Sequence, residues 1–431
     1  MDRTIDFTNC RQIYRHLGGT DRKFEVEYEG REYIIKFSQN HAKKTEMSTS
    51  HVNNVTSEYI SSHISASIQL PTHNTVLGTY NDEVVVGCED FRHNGEENME
   101  FKEFVRAIYN SEEVKRVIRL DQIYTTLNSQ SFSDALKQDS IERYWNTFVV
   151  DALVGNFDRH IGNWGYLSKD NQLSIAPVYD YGSSLLPQLS DDGRKTLIDN
   201  EFEMFKRCLV FPSAALFITT KKAGKVGYYD MMSSNFDPKC TAAVKRMVPK
   251  IQMEKIYQII DESPLISNLQ KEFYKKYVNL RKKLIIDRAY RCCITKDFDY
   301  DALMRLQKGI QYSDEMLRQD MKKDIFNFKP IEIPNYLHIF SDFDDDETIK
   351  VLKDWEDVSK IEDRMPSFEK KGKDDHTYKI MVNYPLSSEW KVILPEHRRF
   401  ELLKDGEHVS SWNELHWLLK NYNEISKPKE L

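Results

Sequence analysis

Residues 151–165 read "DALVGNFDRHIGNWG", a dense run of polar side chains placed directly after an apolar stretch. Upstream, "IERYWNTFVV" (141–150) leads Tyr144, Trp145, Phe148, Val149, Ala152 and Leu153 onto one stripe, the spacing of a half-buried helix. Gly155 ends that helix, and Asn156, Asp158, Arg159, His160 and Asn163 follow on a loop. Taken alone, Gly, Asn and Asp are ordinary turn residues. The next segment, "LSIAPVYDYGSSL" (173–185), alternates into an extended stretch that ends at Asp180, with Gly182 just after it. An Asp, an Asn five residues later and a second Asp at a strand end form a phosphoryl-transfer set. In such a set one Asp orients or deprotonates the attacking hydroxyl, while the Asn and the second Asp hold Mg2+ against a triphosphate. Mg2+ takes oxygen ligands, and an amide plus a carboxylate supply them while leaving room for phosphate and water.

The chain has 431 residues, more than one ordinary core holds, so two or three folded units are expected. A composition of 40% hydrophobic and 30% charged residues suits a globular protein. The net charge is −7 and no basic cluster is interleaved with aromatics, so nucleic acid is not expected as a direct partner. The longest uncharged apolar stretch, "CLVFPSAALFITT" (208–220), is too short for a bilayer and contains Pro212, so no membrane partner is expected either. "MDRTIDFTNCRQ" lacks the apolar core of a secretory signal, which points to the cytoplasm without excluding a specialised export route. The six cysteines form no C-x-x-C pair, and the 12 histidines no H-E-x-x-H pair. A reduced cytoplasm fits this pattern, and neither a disulfide framework nor a zinc site is expected.

The first ninety or so residues are strand-rich. "FEVEYEGREYIIKF" (24–37) alternates Phe24, Val26 and Tyr28, turns at Glu29-Gly30-Arg31, and returns with Tyr33, Ile35 and Phe37: a β-hairpin. Lys36 falls out of phase with that apolar set, on the opposite face with Ile34. Gly18, Gly19 and Thr20 lead into the first of these strands. From about residue 51 a helix runs to Pro71, with Val55, Tyr59, Ile60, Ile64 and Ile68 inward and Glu58 upon it. "TYNDEVVVGCEDF" (79–91) then reads as one buried strand with a polar connection. From there to about 300 the chain is mainly helical, including the late helix "FYKKYVNLRKKLIIDRAYRCCI" (273–294). A small strand-rich lobe followed by a larger helical one is a bilobal kinase plan. In that plan Lys36 reaches the nucleotide phosphates, Glu58 pairs with it, and Gly18 and Gly19 let backbone approach phosphate closely.

These stretches resemble the HipA-like serine/threonine kinases, the bacterial group that includes the HipA toxins and the secreted CtkA-type kinases, distant relatives of the phosphoinositide kinases. The resemblance covers roughly residues 10–310, through "GGTDRKFEVEYEGREYIIKF", "VTSEYISSHI", "GNFDRHIGN" and "APVYDYGSS". It implies an α+β, bilobal protein-kinase-like fold with ATP and Mg2+ as cofactors and a protein Ser or Thr hydroxyl as acceptor. Asp158 becomes the catalytic base, His160 supports the loop, Asn163 and Asp180 bind the metal, and Gly18, Gly19, Thr20, Lys23, Lys36, Glu58 and Glu89 serve the nucleotide. In the phosphoinositide-kinase branch the His of "D-R-H-x-x-N" is a candidate for the proton-handling role, so both assignments stay open. HipA toxins carry an autophosphorylated serine in the phosphate loop; His16 stands at the aligned place, and Thr20 is the only hydroxyl between Tyr14 and Tyr28. The short front before the loop resembles the CtkA type and weakens the case for an antitoxin-like regulator.

The expected domains are an N-lobe over 1–91, a helical C-lobe over 92–328 and a small α+β extension of unassigned role over 329–431. "KPIEIPNYLHIF" (329–340) marks the linker. The acidic run 342–347 starts like a calcium loop, but Glu347 and Lys353 stand where Gly and Glu are needed, so calcium is rejected. "HTYKIMVNYP" and "EWKVILP" read as strands, and Ser411 with Glu414 as a capping box before a helix. A lipid or small-molecule kinase and a non-catalytic kinase-fold binding protein are the alternatives. The intact set Lys36, Asp158, Asn163 and Asp180 argues against the latter.

Overall fold

A computed structural model describes residues 4–14, 22–40, 51–52, 54–93, 95–109, 117–218, 224–322, 356–357, 367–382, 400–412 and 415–426. The chain divides into two compact units, Met1–Phe328 and Lys329–Leu431.

The first unit opens with strands β1 (Ile5–Asp6), β2 (Arg11–Ile13), β3 (Lys23–Tyr28) and β4 (Arg31–Phe37). A short ribbon of β5 (Gln39–Asn40) and β6 (His51–Val52) precedes helix α1 (Asn54–Ser67), and β7 (Thr75–Tyr80) and β8 (Glu83–Glu89) complete the lobe. Six of these strands form one sheet in the order β1-β7-β8-β4-β3-β2, with only the β1–β7 pair parallel. The β3–β4 turn has φ 50° at Glu29 and 74° at Gly30, positive at both central positions as a tight hairpin requires. The pleat buries Val26, Tyr33, Ile35, Phe37 and Val85 around Phe7 on one face, each large side chain contributing about 1.5–3 kcal/mol. Val55, Tyr59, Ile60, Ile64 and Ile68 are all buried, as their helical spacing predicts. The expected single strand over 79–91 is instead the β7–β8 hairpin. Asn81 and Asp82 take φ 49° and 63°, a turn that their short polar side chains tolerate.

A helical lobe follows. Its central helix is α4, introduced after β9 (Glu97–Glu100), α2 (Phe101–Ile108), β10 (Ile118–Arg119) and α3 (Leu120–Leu127). Helix α4 (Asp134–Val154) is capped by Ser133 and ends at Gly155 in the left-handed conformation, φ 67°. A Cβ there would also lie 2.2 Å from the Tyr277 hydroxyl, so glycine is required twice over. Strands β11 (Gly165–Lys169) and β12 (Gln172–Ile175) pair with β9 in the order β12-β11-β9, holding the polar loop 156–164 between α4 and β11. The extended segment ahead of Asp180 is shorter than its alternation predicts. Past Ile175 it keeps only a single parallel bridge, Thr72 to Val178.

Helices α5 (Asp191–Asp199) and α6 (Glu201–Leu209), strand β13 (Leu216–Phe217) and helices α7 (Tyr228–Ser233), α8 (Pro238–Met247) and α9 (Met253–Glu262) come next. The late helix is α10 (Asn268–Arg281) joined to α11 (Arg288–Thr295) through a π-helical turn over Lys282–Asp287. Arg281, fully buried, donates to the carbonyls of Ala152 at 2.6 Å and Cys208 at 2.7 Å. It thereby satisfies one of the carbonyls that the end of α4 leaves open. Helices α12 (Tyr300–Lys308) and α13 (Asp314–Lys322) close the unit.

The second unit is α+β by itself. Strands β14 (Glu356–Asp357), β15 (Ser367–Lys371), β16 (Thr377–Val382), β17 (Phe400–Lys404) and β18 (Glu407–Trp412) form an antiparallel meander, and α14 (Leu415–Ile425) packs on it. Tyr378, Ile380, Leu402, Leu418, Leu419 and Tyr422 are buried there. Strand β18 runs through Ser411, so the expected capping box is not formed from that residue: the sheet register claims its backbone. Glu414, the acidic run 342–347 and "EWKVILP" lie outside the described residues. Among the described residues no helix is long and apolar enough to cross a membrane.

Candidate active site

The pleat of β4 decides where Lys36 points. Tyr33, Ile35 and Phe37 go to the Phe7 face, so Ile34 and Lys36 go to the other. There Lys36 Nζ lies 3.2 Å from Glu58 Oε2 on α1 and 3.4 Å from Asp180 Oδ1 in the helical lobe. Burial opposes the ammonium charge, but Glu58 and Asp180 together hold its pKa well above the ordinary lysine value. Glu58 is 1% exposed. Its Oε1 accepts from the Tyr181 N–H at 3.0 Å and lies 3.2 Å from His73 Nε2. Burial alone would raise its pKa, yet Lys36, His73 and the Tyr181 amide overcome that and keep it ionised well below the usual range.

The loop after α4 is fixed by its own backbone and by one buried arginine. Arg159 Nε and Nη2 lie 3.0 and 3.2 Å from the two oxygens of Asp151, in the last turn of α4. Nη1 donates to the carbonyl of Asn163 at 2.9 Å and also to that of Tyr179, and the guanidinium covers the Tyr181 ring at 4.6 Å. One side chain therefore ties α4, the loop and the segment carrying Asp180. Asn156, fully buried, donates to Asp151 Oδ1 at 2.9 Å and accepts from the Asp158 N–H at 3.1 Å. Asn163 Nδ2 donates to the Asp158 carbonyl at 2.8 Å, which leaves its amide oxygen as the acceptor for a cation.

His160 is oriented by the same loop. Its Nδ1 accepts from the Gly162 N–H at 3.0 Å, which places the ring proton on Nε2. Nε2 is 4.0 Å from Asp158 Oδ2. Nε2 thus faces the Asp158 carboxylate at a distance longer than a hydrogen bond. Asp180 takes φ 63°, a left-handed conformation that Asp visits more readily than most residues, and its side chain is 39% exposed. Tyr181, just after it, donates to Ser65 Oγ at 2.9 Å.

The structure thus brings Lys36, Glu58 and Asp180 into contact and holds Asp158, His160 and Asn163 on the loop that Arg159 ties to the Asp180 segment. Lys23 stands directly across from Lys36 in the β3–β4 register, so both side chains share the cleft face. Glu89 is placed differently. It pairs with Tyr33 on the Phe7 face, and its carboxylate meets Asn74 at 3.1 Å and Arg31 at 3.4 Å. Gly18, Gly19 and Thr20 lie outside the described residues. Asp151, Arg159, Asn156, His73 and Tyr181 complete the site although the sequence reading gave them no role. One signal was present: an acid in the last turn of an apolar helix opposes the helix dipole and calls for a cation.

A family model described as the HipA-like C-terminal domain matches residues 16–262. The chain belongs to the HipA-like family. This HipA-like chain is 34% identical over 291 residues to the serine/threonine-protein kinase CtkA of Helicobacter pylori strain J99, covering 67% of this chain and 88% of that protein. The crystal structure of the proinflammatory kinase CtkA of Helicobacter pylori matches with a TM-score of 0.63 at 33% identity, over 69% of this chain and 100% of that one. The fold is that kinase fold, α+β and bilobal, and the HipA-like chain is a kinase.

Proposed function

We propose that the protein is an ATP- and Mg2+-dependent serine/threonine protein kinase. The observation that carries this reading is Lys36 held between Glu58 and Asp180, with Asp158 and Asn163 on the loop beside Asp180. Lys36 and Lys23 form a cationic pair on the cleft face, suited to the phosphates of ATP. Glu58, locked by Tyr181 and His73, fixes the reach of Lys36. The Asn163 amide oxygen and the Asp180 carboxylate are hard oxygen donors that fit Mg2+, which when bound neutralises charge on the phosphates. Asp158 accepts the proton of the incoming hydroxyl. His160, with its proton on Nε2, orients that carboxylate and is not itself free to take a proton at Nδ1.

The protein substrate enters by likeness to CtkA, named a serine/threonine-protein kinase. Thr20 is a candidate autophosphorylation site, and a cytoplasmic location remains part of the reading. The domain roles proposed are nucleotide lobe over 1–91, catalytic lobe over 92–328 and a separate module over 329–431. Incubation with γ-labelled ATP, Mg2+ and a generic protein substrate tests the reading. Label on Ser or Thr is expected; label confined to lipid, or nucleotide transfer in place of the phosphoryl group, would overturn it.

A further inference from the structure

Behind Lys36 lies a group of side chains that the kinase reading does not use as a set. Glu58 from α1, His73 from the turn before β7 and Cys88 from β8 are 1%, 6% and 3% exposed. They each offer a ligand atom, and these atoms all lie within 4.8 Å of one another. Cys88 is opposite Ile34 in the β4–β8 register, so its thiol is on the Lys36 face of the sheet. The three donors come from three separate elements, which is why no local sequence spacing announces them.

We propose that Glu58, His73 and Cys88 form an inhibitory binding site for a borderline-soft divalent cation such as Zn2+. The donor set is one sulfur, one imidazole nitrogen and one carboxylate oxygen. That is the chemistry of Zn2+ and not of Mg2+, which takes oxygen and belongs at Asn163 and Asp180. The two metals are thereby sorted by hardness. Zinc bonds of about 2.0–2.3 Å need the donors to draw inward by about an ångström. On binding, a metal–sulfur bond forms and the Cys88 thiol releases its proton to solvent, while His73 binds through a ring nitrogen freed of its proton, the other nitrogen carrying it; nothing is oxidised or reduced. With the thiol proton gone, the bound cation adds a net single positive charge beside the Lys36 ammonium and shares with it the Glu58 carboxylate, whose Oε2 holds Lys36. The Lys36–Glu58 pair weakens, Lys36 is less firmly positioned, and phosphoryl transfer falls. Burial pushes the free Cys88 thiol up to about 12, so without metal it stays protonated and leaves the Lys36–Glu58 pair intact.

The test uses the full chain and ZnCl2. Increasing Zn2+ at fixed Mg2+ and ATP is expected to inhibit transfer, and a zinc-selective chelator to restore it. Cys88→Ser, with Cys88→Ala as a second variant, is expected to keep the basal rate and lose the inhibition. Loss of a ligand should weaken binding by more than the about 10–100-fold that loss of an outer partner costs. Co2+ provides a readout independent of activity: a thiolate-to-metal charge-transfer absorption, present in the unaltered chain and absent in both variants. Equal zinc inhibition of the unaltered chain and the variants would place the ion at the Mg2+ site and overturn the proposal, as would the lack of a cobalt–thiolate band. Because that band needs no turnover, failure of the kinase reading alone would leave it unchanged.

Discussion

At the scale of single residues, the site depends on where protons and charges are held. Asp180 lies 3.4 Å from Lys36 and is the carboxylate proposed to hold the metal, so Asp180→Asn keeps shape and loses charge. Transfer should fall by about hundredfold or more with the melting temperature little changed, because electrostatic terms dominate such sites. Asp158→Asn should abolish transfer, whereas His160→Gln should keep a measurable fraction. The rate of the unaltered enzyme should show no single-group fall between about pH 7 and 6, since a carboxylate titrates near 4. A rate tracking one group near pH 6.5, lost in the His160 variant alone, would reassign the base to the imidazole. Glu58 gives a stability prediction of definite sign. Its folded pKa lies well below its ordinary value of 4.5, so its contribution is complete above about pH 4.5 and lost as pH falls below it. Acid unfolding of Glu58→Gln should therefore be less steep than that of the unaltered chain. The candidate set Asp158, Asn163 and Asp180 was legible in the sequence because these residues sit at fixed spacing on one loop and at the end of one extended segment. His73 and Arg159 were not, because their partners lie on other elements.

At the scale of elements, α1 and the end of α4 carry the geometry. Lys36→Ala and Glu58→Ala should both impair transfer, and the double variant should be no worse than Lys36→Ala alone, since the pair acts as a unit. Fully additive losses would show that Glu58 does not act through Lys36. Gly155→Ala should lower the melting temperature, with a cost of more than about 1 kcal/mol, because the left-handed conformation and the Tyr277 hydroxyl both exclude a Cβ. A melting temperature equal to that of the unaltered chain would contradict the cap assignment. The alternating apolar residues of β3 and β4 and the 3–4 stripe of α1 made those elements readable. The β7–β8 hairpin was hidden because its turn, Asn81-Asp82, lacks the glycine that usually marks one, and the apolar run after it dominates the pattern. Ser411 misled for a related reason: a local capping pattern was overridden by the β17–β18 register.

At the scale of the whole molecule, the boundary between Phe328 and Lys329 separates two units with their own cores. Removal of residues 329–431 should leave a folded chain that still transfers phosphate to a generic substrate. An insoluble or inactive product with a lowered melting temperature would make the second unit part of the kinase core. The bilobal plan was legible because composition shifts from strand patterns to helical ones near residue 90. The second unit's role was not, since its pattern specifies a packed α+β module and no chemistry. The most direct measurement is γ-phosphoryl transfer from labelled ATP, with Mg2+, to a generic protein substrate, followed by identification of the labelled amino acid. Phosphoserine or phosphothreonine should form with the unaltered chain and be absent with Asp158→Asn and with Lys36→Ala, both still folded. Label that persists undiminished in both variants, or none on protein with the unaltered chain while lipid is labelled, would contradict the assignment of this cleft as a serine/threonine kinase site.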